Sequence, residues 1–184
     1  VVAVGSEVDD LDVGAAVVGG PAIVCGTCAA CRAGRPSLCI NRGAAGDQQR
    51  DGAFADLVCV DHRTVVAVPA GLPLRTAALA EPLAVSLHAV TRSAAGPGDR
   101  VLVTGAGPIG LLAVAALRAR GITDIVVSEP SRQRRELAVA LGAEARGPGE
   151  LETISVAEPF RIVAEPFDAA VECSTVWNPP SRPS

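Results

Sequence analysis

Residues 101–110 read VLVTGAGPIG, and this stretch decides the fold class of the chain. It begins with a mainly apolar run of four residues, which is typical of a strand buried on both faces of a parallel sheet. The turn that follows contains Gly105, and Pro108 stands where proline favours the start of a helix. The stretch therefore predicts a strand that enters a helix through a glycine-rich turn.

The alternation of strand and helix continues on the carboxyl side of this stretch. The predicted elements are helices over 108–120 and 132–141 and strands over 101–104, 124–128 and 168–173. Gly121 and Gly142 follow the two helices, where glycine ends a helix. Residues 145–164 have no firm period, and no regular element is predicted there. Strands that alternate with helices imply an α/β fold with a parallel sheet.

The glycine-rich turn predicts a dinucleotide-binding site. Gly105 makes the tight turn, Gly107 lets the backbone approach a pyrophosphate, and Gly110 permits close packing of the helix, whose N-terminus faces the phosphates. The predicted cofactor-binding residues of the turn are Gly105, Gly107, Pro108, Ile109 and Gly110. Glu129 lies nineteen residues beyond Gly110 at the end of the next strand. A carboxylate there accepts hydrogen bonds from the adenosine ribose hydroxyls.

The same region predicts NAD as the dinucleotide and leaves NADP as the less favoured alternative. Glu129 would repel the 2′-phosphate of NADP, whereas Arg132, Arg134 and Arg135 could attract it. Arginines in the first turn of a helix are more commonly solvated or stacked on adenine. Arg134 is accordingly included among the predicted cofactor-binding residues.

The first part of the chain, residues 1–82, is punctuated by glycine and proline and is predicted to form strands and turns. Short valine-rich runs predict strands over 1–4, 15–18, 55–60 and 64–68. Between the second and third runs lies a polar loop, 21–52, with no period of regular structure. Pro82 and the apolar residues after it predict a helix over 81–92.

Four cysteines crowd into the polar loop in a C-x2-C-x2-C-x7-C pattern: Cys25, Cys28, Cys31 and Cys39. Four thiolates at this spacing converge on one tetrahedral zinc, whose bonds replace the core that the loop lacks. Such a site has no open coordination position, so the zinc would be structural. Two disulfides or chance clustering remain the alternatives.

The composition excludes several classes of partner. The 184 residues include 16 basic and 20 acidic side chains, a net charge of −4, which provides no basic surface for nucleic acid or an anionic membrane. The longest apolar stretch is shorter than the roughly 20 residues of a membrane span. The chain is therefore expected in the cytoplasm. It contains no methionine and opens on VVAVG, which predicts a fragment.

Together these motifs resemble the zinc-containing medium-chain dehydrogenase/reductase family, in its branch of sorbitol, threonine and butanediol dehydrogenases. The resemblance implies a partial GroES-like, β-rich catalytic domain with a structural zinc lobe, followed by the first half of a Rossmann doubly wound parallel sheet. The implied divisions are a catalytic domain over 1–85 with its lobe at 21–52, a nucleotide-binding domain over 86–176 and a proline-rich tail over 177–184.

The resemblance also assigns a catalytic residue. Glu81 falls on the family's Glu-Pro-Leu segment, whose acidic residue lies near or binds the catalytic zinc in the polyol branch. His88 resembles a histidine common in that branch and is expected to pack in the core. The family's other catalytic ligands, a cysteine and a histidine in a Gly-His-Glu segment, precede the opening strand and are not in this sequence. The chain is therefore expected to be truncated at both ends.

The function implied by the resemblance is hydride transfer from a small secondary alcohol or polyol to NAD. Because catalytic ligands are missing, this chain is expected to be inactive by itself, and the parent enzyme to be a homo-oligomer. A non-catalytic module that binds zinc and a nucleotide is the alternative from another class. A formaldehyde or glucose dehydrogenase differs only in its substrate.

Overall fold

The computed structural model describes residues 1–20, 22–44, 52–157 and 160–174. They form two compact units, Val1–Glu81 and Pro82–Ser184. Parts of the predicted divisions lie outside the described residues. These are Pro21 and residues 45–51 of the lobe, residues 175–176 of the nucleotide-binding domain and the whole tail at 177–184.

The strands of the first unit pair in two short antiparallel ladders. Strand β1, Val17–Gly19, pairs with β4, Val65–Ala67, and β2, Ala22–Ile23, pairs with β3, Gly43–Ala44. The strands predicted near 15–18 and 64–68 are thus confirmed. Every described pair is two or three residues long, so little of this unit is regular sheet.

Two predicted strands of the first unit, 1–4 and 55–60, are wrong, because no described residue pairs with them in a ladder. Val1 exchanges backbone hydrogen bonds with Gly14 and Ala15, both of 2.8 Å, but the pairing goes no further. A valine-rich run becomes a strand only where a second backbone satisfies its N–H and C=O groups.

The helical turns of the first unit are short. They are the α-helices α1, Ala29–Arg32, and α2, Leu74–Ala77, and the 3₁₀ turns Pro36–Leu38 and His62–Thr64. The first helix and the first 3₁₀ turn both fall in the predicted loop 21–52, which is therefore less irregular than its sequence indicated. Helices of a single turn are not stable by themselves in water, so interactions outside these helices must stabilise the loop.

Helix α3, Ala80–Arg92, confirms the helix predicted over 81–92. It buries Ser86 and Val90, which lie one turn apart on the same face. The hydroxyl oxygen of Ser86 lies 2.9 Å from the carbonyl oxygen of Ile109 and 3.0 Å from that of Pro82. His88 is exposed, so the prediction that it packs in the core is wrong. His88 is two residues from the buried Ser86, and side chains two residues apart point to opposite sides of an α-helix.

The second unit contains a four-stranded sheet of the predicted kind. Its elements are β5, Arg100–Thr104; α4, Pro108–Ala119; β6, Asp124–Ser128; α5, Arg132–Ala140; β7, Glu144–Arg146; and β10, Ala169–Glu172. All strand pairs are parallel, and the order is β10-β5-β6-β7. This is the order of the first four strands of a Rossmann sheet, in which the chain reverses direction beside its first strand.

The sheet is buried because its strands are apolar on both faces. Val101, Val103 and Val127 are wholly buried between the sheet and helix α4, together with Leu117 of that helix. Each such side chain contributes roughly 1.5–3 kcal/mol when it leaves water. The core of this unit thus lies directly beneath the turn that joins β5 to α4.

The connection from β7 to β10 was not predicted. It contains a 3₁₀ turn, Pro148–Glu150, and an antiparallel hairpin of β8, Thr153–Ala157, and β9, Phe160–Val163. On the opposite face of the sheet, Leu102, Val126 and Leu151 form a second core with Val163 and Phe167. The connection therefore covers the sheet face that α4 leaves open.

Glu165 is expected to be the strongest polar contributor to this second face. Its carboxylate is 14% exposed and accepts from Arg146 at 2.7 Å and from Arg100 at 3.3 Å. Glu165→Gln removes the carboxylate that the two guanidinium groups share, while Arg146 keeps Glu144 at 2.6 Å and Arg100 keeps Asp124 at 3.7 Å. We therefore expect the free energy of unfolding to fall by about 1 kcal/mol in urea titrations. Arg132→Ala removes only the exposed pair with Glu136 and should cost under about 0.5 kcal/mol. Equal losses in the two variants would contradict this assignment.

Candidate zinc and dinucleotide sites

The four cysteines of the loop converge in the structure. The sulfur atoms of Cys25, Cys28, Cys31 and Cys39 all lie within 4.8 Å of one another. Helix α1 carries Cys31, the turn before it carries Cys25 and Cys28, and the 3₁₀ turn Pro36–Leu38 directs Cys39 back toward them. All four are free thiols, so the disulfide alternative does not describe this arrangement.

Backbone N–H groups surround the sulfurs. The amide of Cys28 donates to the sulfur of Cys25 at 3.3 Å, and the amide of Cys25 donates to the sulfur of Cys39 at 3.4 Å. The backbone amides of Thr27 and then Cys28 lower the pKa of the Cys25 thiol to about 5. The amides of Cys31 and then Ile40 also lower the pKa of Cys28. The loop is thus built to stabilise negative charge on sulfur.

Cys31 behaves in the opposite way. Burial, followed by the neighbouring sulfurs of Cys28 and Cys39, raises the pKa of the Cys31 thiol to about 12. Four sulfurs this close are stable together only with protons or a cation among them.

The cluster has the dimensions of a zinc site. Tetrahedral zinc with Zn–S bonds of about 2.3 Å places its sulfurs about 3.8 Å apart. The sulfurs of Cys25 and Cys39 are 3.6 Å apart, and the whole set spans no more than 4.8 Å. Four thiol donors and amides directed at sulfur suit this ion. The arrangement therefore fits one four-sulfur zinc site with no position for substrate.

In the second unit, the glycine-rich turn lies at the carboxyl end of β5, beside the point where the strand order reverses. The amide of Gly105 donates to the carbonyl of Ser128 at 2.8 Å, and the amide of Cys173 donates to the carbonyl of Thr104 at 2.8 Å. The turn is thus held by the ends of both neighbouring strands. In open α/β sheets, ligands bind in the crevice at this point.

The three glycines of the turn have different reasons to be glycine. Gly105 has a φ of +88°, and a Cβ there would lie 2.9 Å from the carbonyl oxygen of Cys173. A Cβ on Gly110 would fall on the carbonyl oxygen of Gly105, far inside contact distance. A Cβ on Gly107 would meet nothing within 4 Å. Packing therefore requires two of them, while Gly107 leaves open space at the start of α4.

Helix α4 begins at this open space. Gly107 is its N-cap, no side chain caps it, and Pro108 occupies the first turn. The first amides of a helix have no partner within the helix and carry its positive partial charge. Ile109 and Gly110 follow Pro108, so their amides face the position where a phosphate binds such a turn.

Glu129 has a role that sequence reasoning missed. It is only 3% exposed, and its carboxylate accepts from the amide of Ala106 at 2.7 Å and from that of Ser131 at 2.8 Å. It therefore fixes the glycine-rich turn as well as standing at the predicted ribose position. Each carboxylate oxygen can accept more than one hydrogen bond, so the two roles are compatible.

The structure separates the three arginines of helix α5. Arg132 pairs with Glu136 at 3.0 Å, and Arg135 donates to the carbonyls of Glu129 and Pro130, both at 2.8 Å. Arg134 is exposed and has no hydrogen-bond or ion-pair partner within the described part of the chain. Of the three, Arg134 is the one whose side chain is available to a ligand.

Glu81 lies in the first turn of α3 and is exposed. It belongs to no group of three or more metal-ligating side chains among residues 1–20, 22–44, 52–157 and 160–174, where the cysteine cluster is the one such group. Its role at a catalytic zinc stays a prediction. In the same described ranges, no helix is both long and apolar enough to cross a membrane.

Comparisons with known proteins find dehydrogenases. Residues 1–70 match the alcohol dehydrogenase GroES-like domain. The sorbitol dehydrogenase of Bacillus subtilis (strain 168) is 38% identical over 143 residues, which are 78% of this chain and 40% of that protein. The L-threonine 3-dehydrogenase of Pyrococcus abyssi (strain GE5 / Orsay) is 44% identical over 146 residues, which are 78% of this chain and 41% of that protein.

A solved structure extends the likeness to both units. A protein described as a zinc-binding dehydrogenase of Sinorhizobium meliloti 1021, bound to NADP, superposes with a TM-score of 0.83 and 37% sequence identity. The superposition covers 96% of this chain and 52% of that chain.

Over both units the chain is similar to the zinc-containing medium-chain dehydrogenase/reductase family. Within that family it is similar to the alcohol and polyol branch, to which sorbitol and threonine dehydrogenases belong. The predicted family and fold class are confirmed: a partial GroES-like domain is followed by the first half of a Rossmann sheet. The chain spans about 40% of the length of these curated relatives.

Proposed function

We propose that this chain is part of a zinc-dependent dehydrogenase that transfers hydride from a secondary alcohol or polyol to NAD. The observation that carries the proposal is the glycine-rich turn at the carboxyl end of β5, with Gly107 open and Glu129 bound to the turn at 2.7 Å. The similarity to sorbitol and threonine dehydrogenases supports the substrate class.

The residues of the dinucleotide site have distinct proposed roles. The pyrophosphate lies over Gly107 and receives hydrogen bonds from the amides of Ile109 and Gly110. Glu129 holds the turn through Ala106 and accepts from the adenosine ribose. Arg134 covers the adenine. Gly105 and Pro108 set the path of the turn.

Two zinc roles are proposed. Cys25, Cys28, Cys31 and Cys39 hold a structural zinc that stabilises the loop. Glu81 contributes to a separate catalytic zinc site, where the bound metal supplies Lewis acidity to the alcohol oxygen. One exposed carboxylate is too few ligands to hold that metal firmly. Residues 1–184 by themselves are therefore expected to show no turnover.

NAD is proposed over NADP because the carboxylate of Glu129 opposes a 2′-phosphate. Arg134 is exposed and could oppose this preference, and a relative of known structure is bound to NADP. Like charges brought together in a binding site cost several kcal/mol. Two backbone amides fix the carboxylate of Glu129 near the expected ribose position, whereas Arg134 is an exposed side chain. The cytoplasmic location and the homo-oligomeric parent predicted from the sequence stay predictions.

A titration of zinc-loaded residues 1–184 with NADH and NADPH, followed by fluorescence, tests the proposed cofactor. We expect NADH to bind at least about 10-fold more tightly than NADPH, because 1.4 kcal/mol of repulsion corresponds to that ratio. Glu129→Gln should narrow the ratio, and Arg134→Ala should not invert it. Tighter binding of NADPH than of NADH would contradict the choice of NAD.

The same preparation tests turnover. Addition of NAD and a panel of secondary alcohols and polyols should produce no absorbance of NADH above a blank without protein. Binding without turnover is the result that the non-catalytic alternative also predicts. Zinc-dependent alcohol oxidation by residues 1–184 would contradict the incomplete catalytic site.

A further inference from the structure

An arginine from outside the cysteine loop lies against the turn that carries Cys25 and Cys28. Arg63 belongs to the 3₁₀ turn His62–Thr64, and Asp61 holds one edge of its guanidinium. The Nε atom lies 2.9 Å from Oδ1 of Asp61, and Nη2 lies 2.5 Å from Oδ2. Asp61 also accepts from the backbone amide of Arg63 at 3.0 Å. This geometry fixes the side chain and leaves Nη1 outside the pair.

The Nη1 atom faces the first cysteine turn. It lies 3.3 Å from the point that a Cβ on Gly26 would occupy. Gly26 follows Cys25 directly and has a φ of +73°, so both conformation and space favour glycine there. The guanidinium therefore lies against the backbone of the turn that follows Cys25. The cation therefore sits at the edge of the cluster.

A positive side chain near the four cysteines would offset the negative charge of a zinc–thiolate site. Zinc bound by four thiolates has a net charge of −2. The described loop residues 22–44 contain three arginines and no acidic residue: Arg32, Arg35 and Arg42. Arg32 donates to the carbonyl of Thr27 at 2.6 Å. The rest of the loop 21–52 adds Arg50, Asp47 and Asp51, so its four arginines and two aspartates give a net charge of +2 apart from the thiols. Arg63 adds a further positive group from a distant part of the sequence.

We propose that Arg63 is a positioning residue for the structural zinc: its guanidinium, oriented by Asp61, offsets the negative charge of the four-sulfur site and slows release of the metal. The inference rests on the zinc site of the proposed function. Partners that hydrogen-bond to metal ligands typically change metal affinity by 10-fold or more when they are replaced. Within the described part of the chain, Arg63 has no such bond and a half-exposed side chain, so its charge is expected to act at the low end of that range. The proposed role of Arg63 depends on its positive charge, whereas a packing role would depend on the size and shape of its side chain.

The rate of zinc transfer to an excess of a chromophoric chelator tests this role, with Arg63→Gln and Arg63→Lys as a matched pair. We expect release about 10-fold faster from Arg63→Gln, and a rate close to the wild-type rate from Arg63→Lys, which keeps the charge. Asp61→Asn breaks the clamp but removes a negative charge, so its release should be no faster than that of the wild type. Arg75→Gln, an exposed arginine in α2, is the control.

Three results would overturn the inference. The first is a zinc-release rate in Arg63→Gln equal to that of the wild type, and the second is the same fast rate in Arg63→Gln and Arg63→Lys. The third is the same fast rate in Arg63→Gln and Asp61→Asn, because it would mean that the Asp61–Arg63 contact matters and the positive charge does not. Circular dichroism confirms that each variant is folded before the rate is measured. A wild-type chain that binds no zinc would overturn the proposed zinc site together with this inference. Zinc binding without an effect of Arg63→Gln overturns the inference alone.

Discussion

Gly110→Ala is expected to disrupt the nucleotide-binding unit. The added methyl group would lie far inside contact distance of the carbonyl oxygen of Gly105, and the backbone at both glycines is held by neighbouring elements. Neither can move without displacing the turn or the start of α4. We expect the free energy of unfolding to fall by about 3 kcal/mol, measured in urea, and NADH binding to be lost.

Gly107→Ala is the matched control for this variant. Its φ is −71° and its methyl group would meet no protein atom within 4 Å, so the fold should be retained. The loss of stability should stay within about 1 kcal/mol, the usual cost of alanine at an N-cap. NADH affinity should nevertheless fall at least about 10-fold, because the methyl group fills the approach to the pyrophosphate. Wild-type affinity in Gly107→Ala would contradict the position of the site.

Cys28→Ser is expected to empty the structural zinc site. A structural zinc contributes about 10–16 kcal/mol to the folding of small domains, and serine is a poor ligand for it. Elemental analysis should give about one zinc per chain for the wild type and close to none for the variant. The loop around α1 should then be cut by proteases that leave the wild type intact, because its own helices are too short to hold it.

Cys59→Ser provides the control for the zinc prediction. Cys59 is an exposed free thiol and lies outside the cluster. Its removal changes the total thiol content by the same amount as Cys28→Ser. It should leave both zinc content and protease resistance unchanged. Zinc loss in both variants, or in neither, would contradict the assignment of the four ligands.

Much of the second unit could be predicted because its signals are local. Residues 124–128, with three apolar residues at their centre, become β6 with the predicted bounds. Helix α4 begins at the predicted Pro108, and α3 and α5 end within a residue of the prediction. A strand buried on both faces is visible in sequence as an apolar run, and the end of a helix as a glycine. Neither signal depends on which distant residues the element packs against.

Pairing partners explain most of what could not be predicted. A valine-rich run such as 55–60 looks like a strand, but only another backbone makes it one. The hairpin of β8 and β9 was missed because residues 145–164 have no consistent period. Its strands pair antiparallel, whereas the other described strands of the unit pair parallel. The alternation of strands and helices predicts only parallel pairing.

The features of the candidate sites likewise fall into those with a local sequence signal and those made by tertiary contacts. The spacing of Cys25, Cys28, Cys31 and Cys39 was enough to predict their convergence, because metal ligands must be close in space. The bond from Ala106 to Glu129 joins residues far apart in the sequence and has no local signal. The approach of Arg63 to Gly26 is likewise tertiary. A helical period that places Ser86 inward could have shown that His88 is exposed.

X-ray absorption at the zinc edge of purified residues 1–184 tests the central claim most directly, which is that four cysteine sulfurs form one closed zinc site. The account predicts one zinc per chain with a shell of four sulfurs at about 2.3 Å and no nitrogen or oxygen ligand. A shell that contains nitrogen or oxygen, or a protein that purifies without zinc and does not take it up, would contradict it.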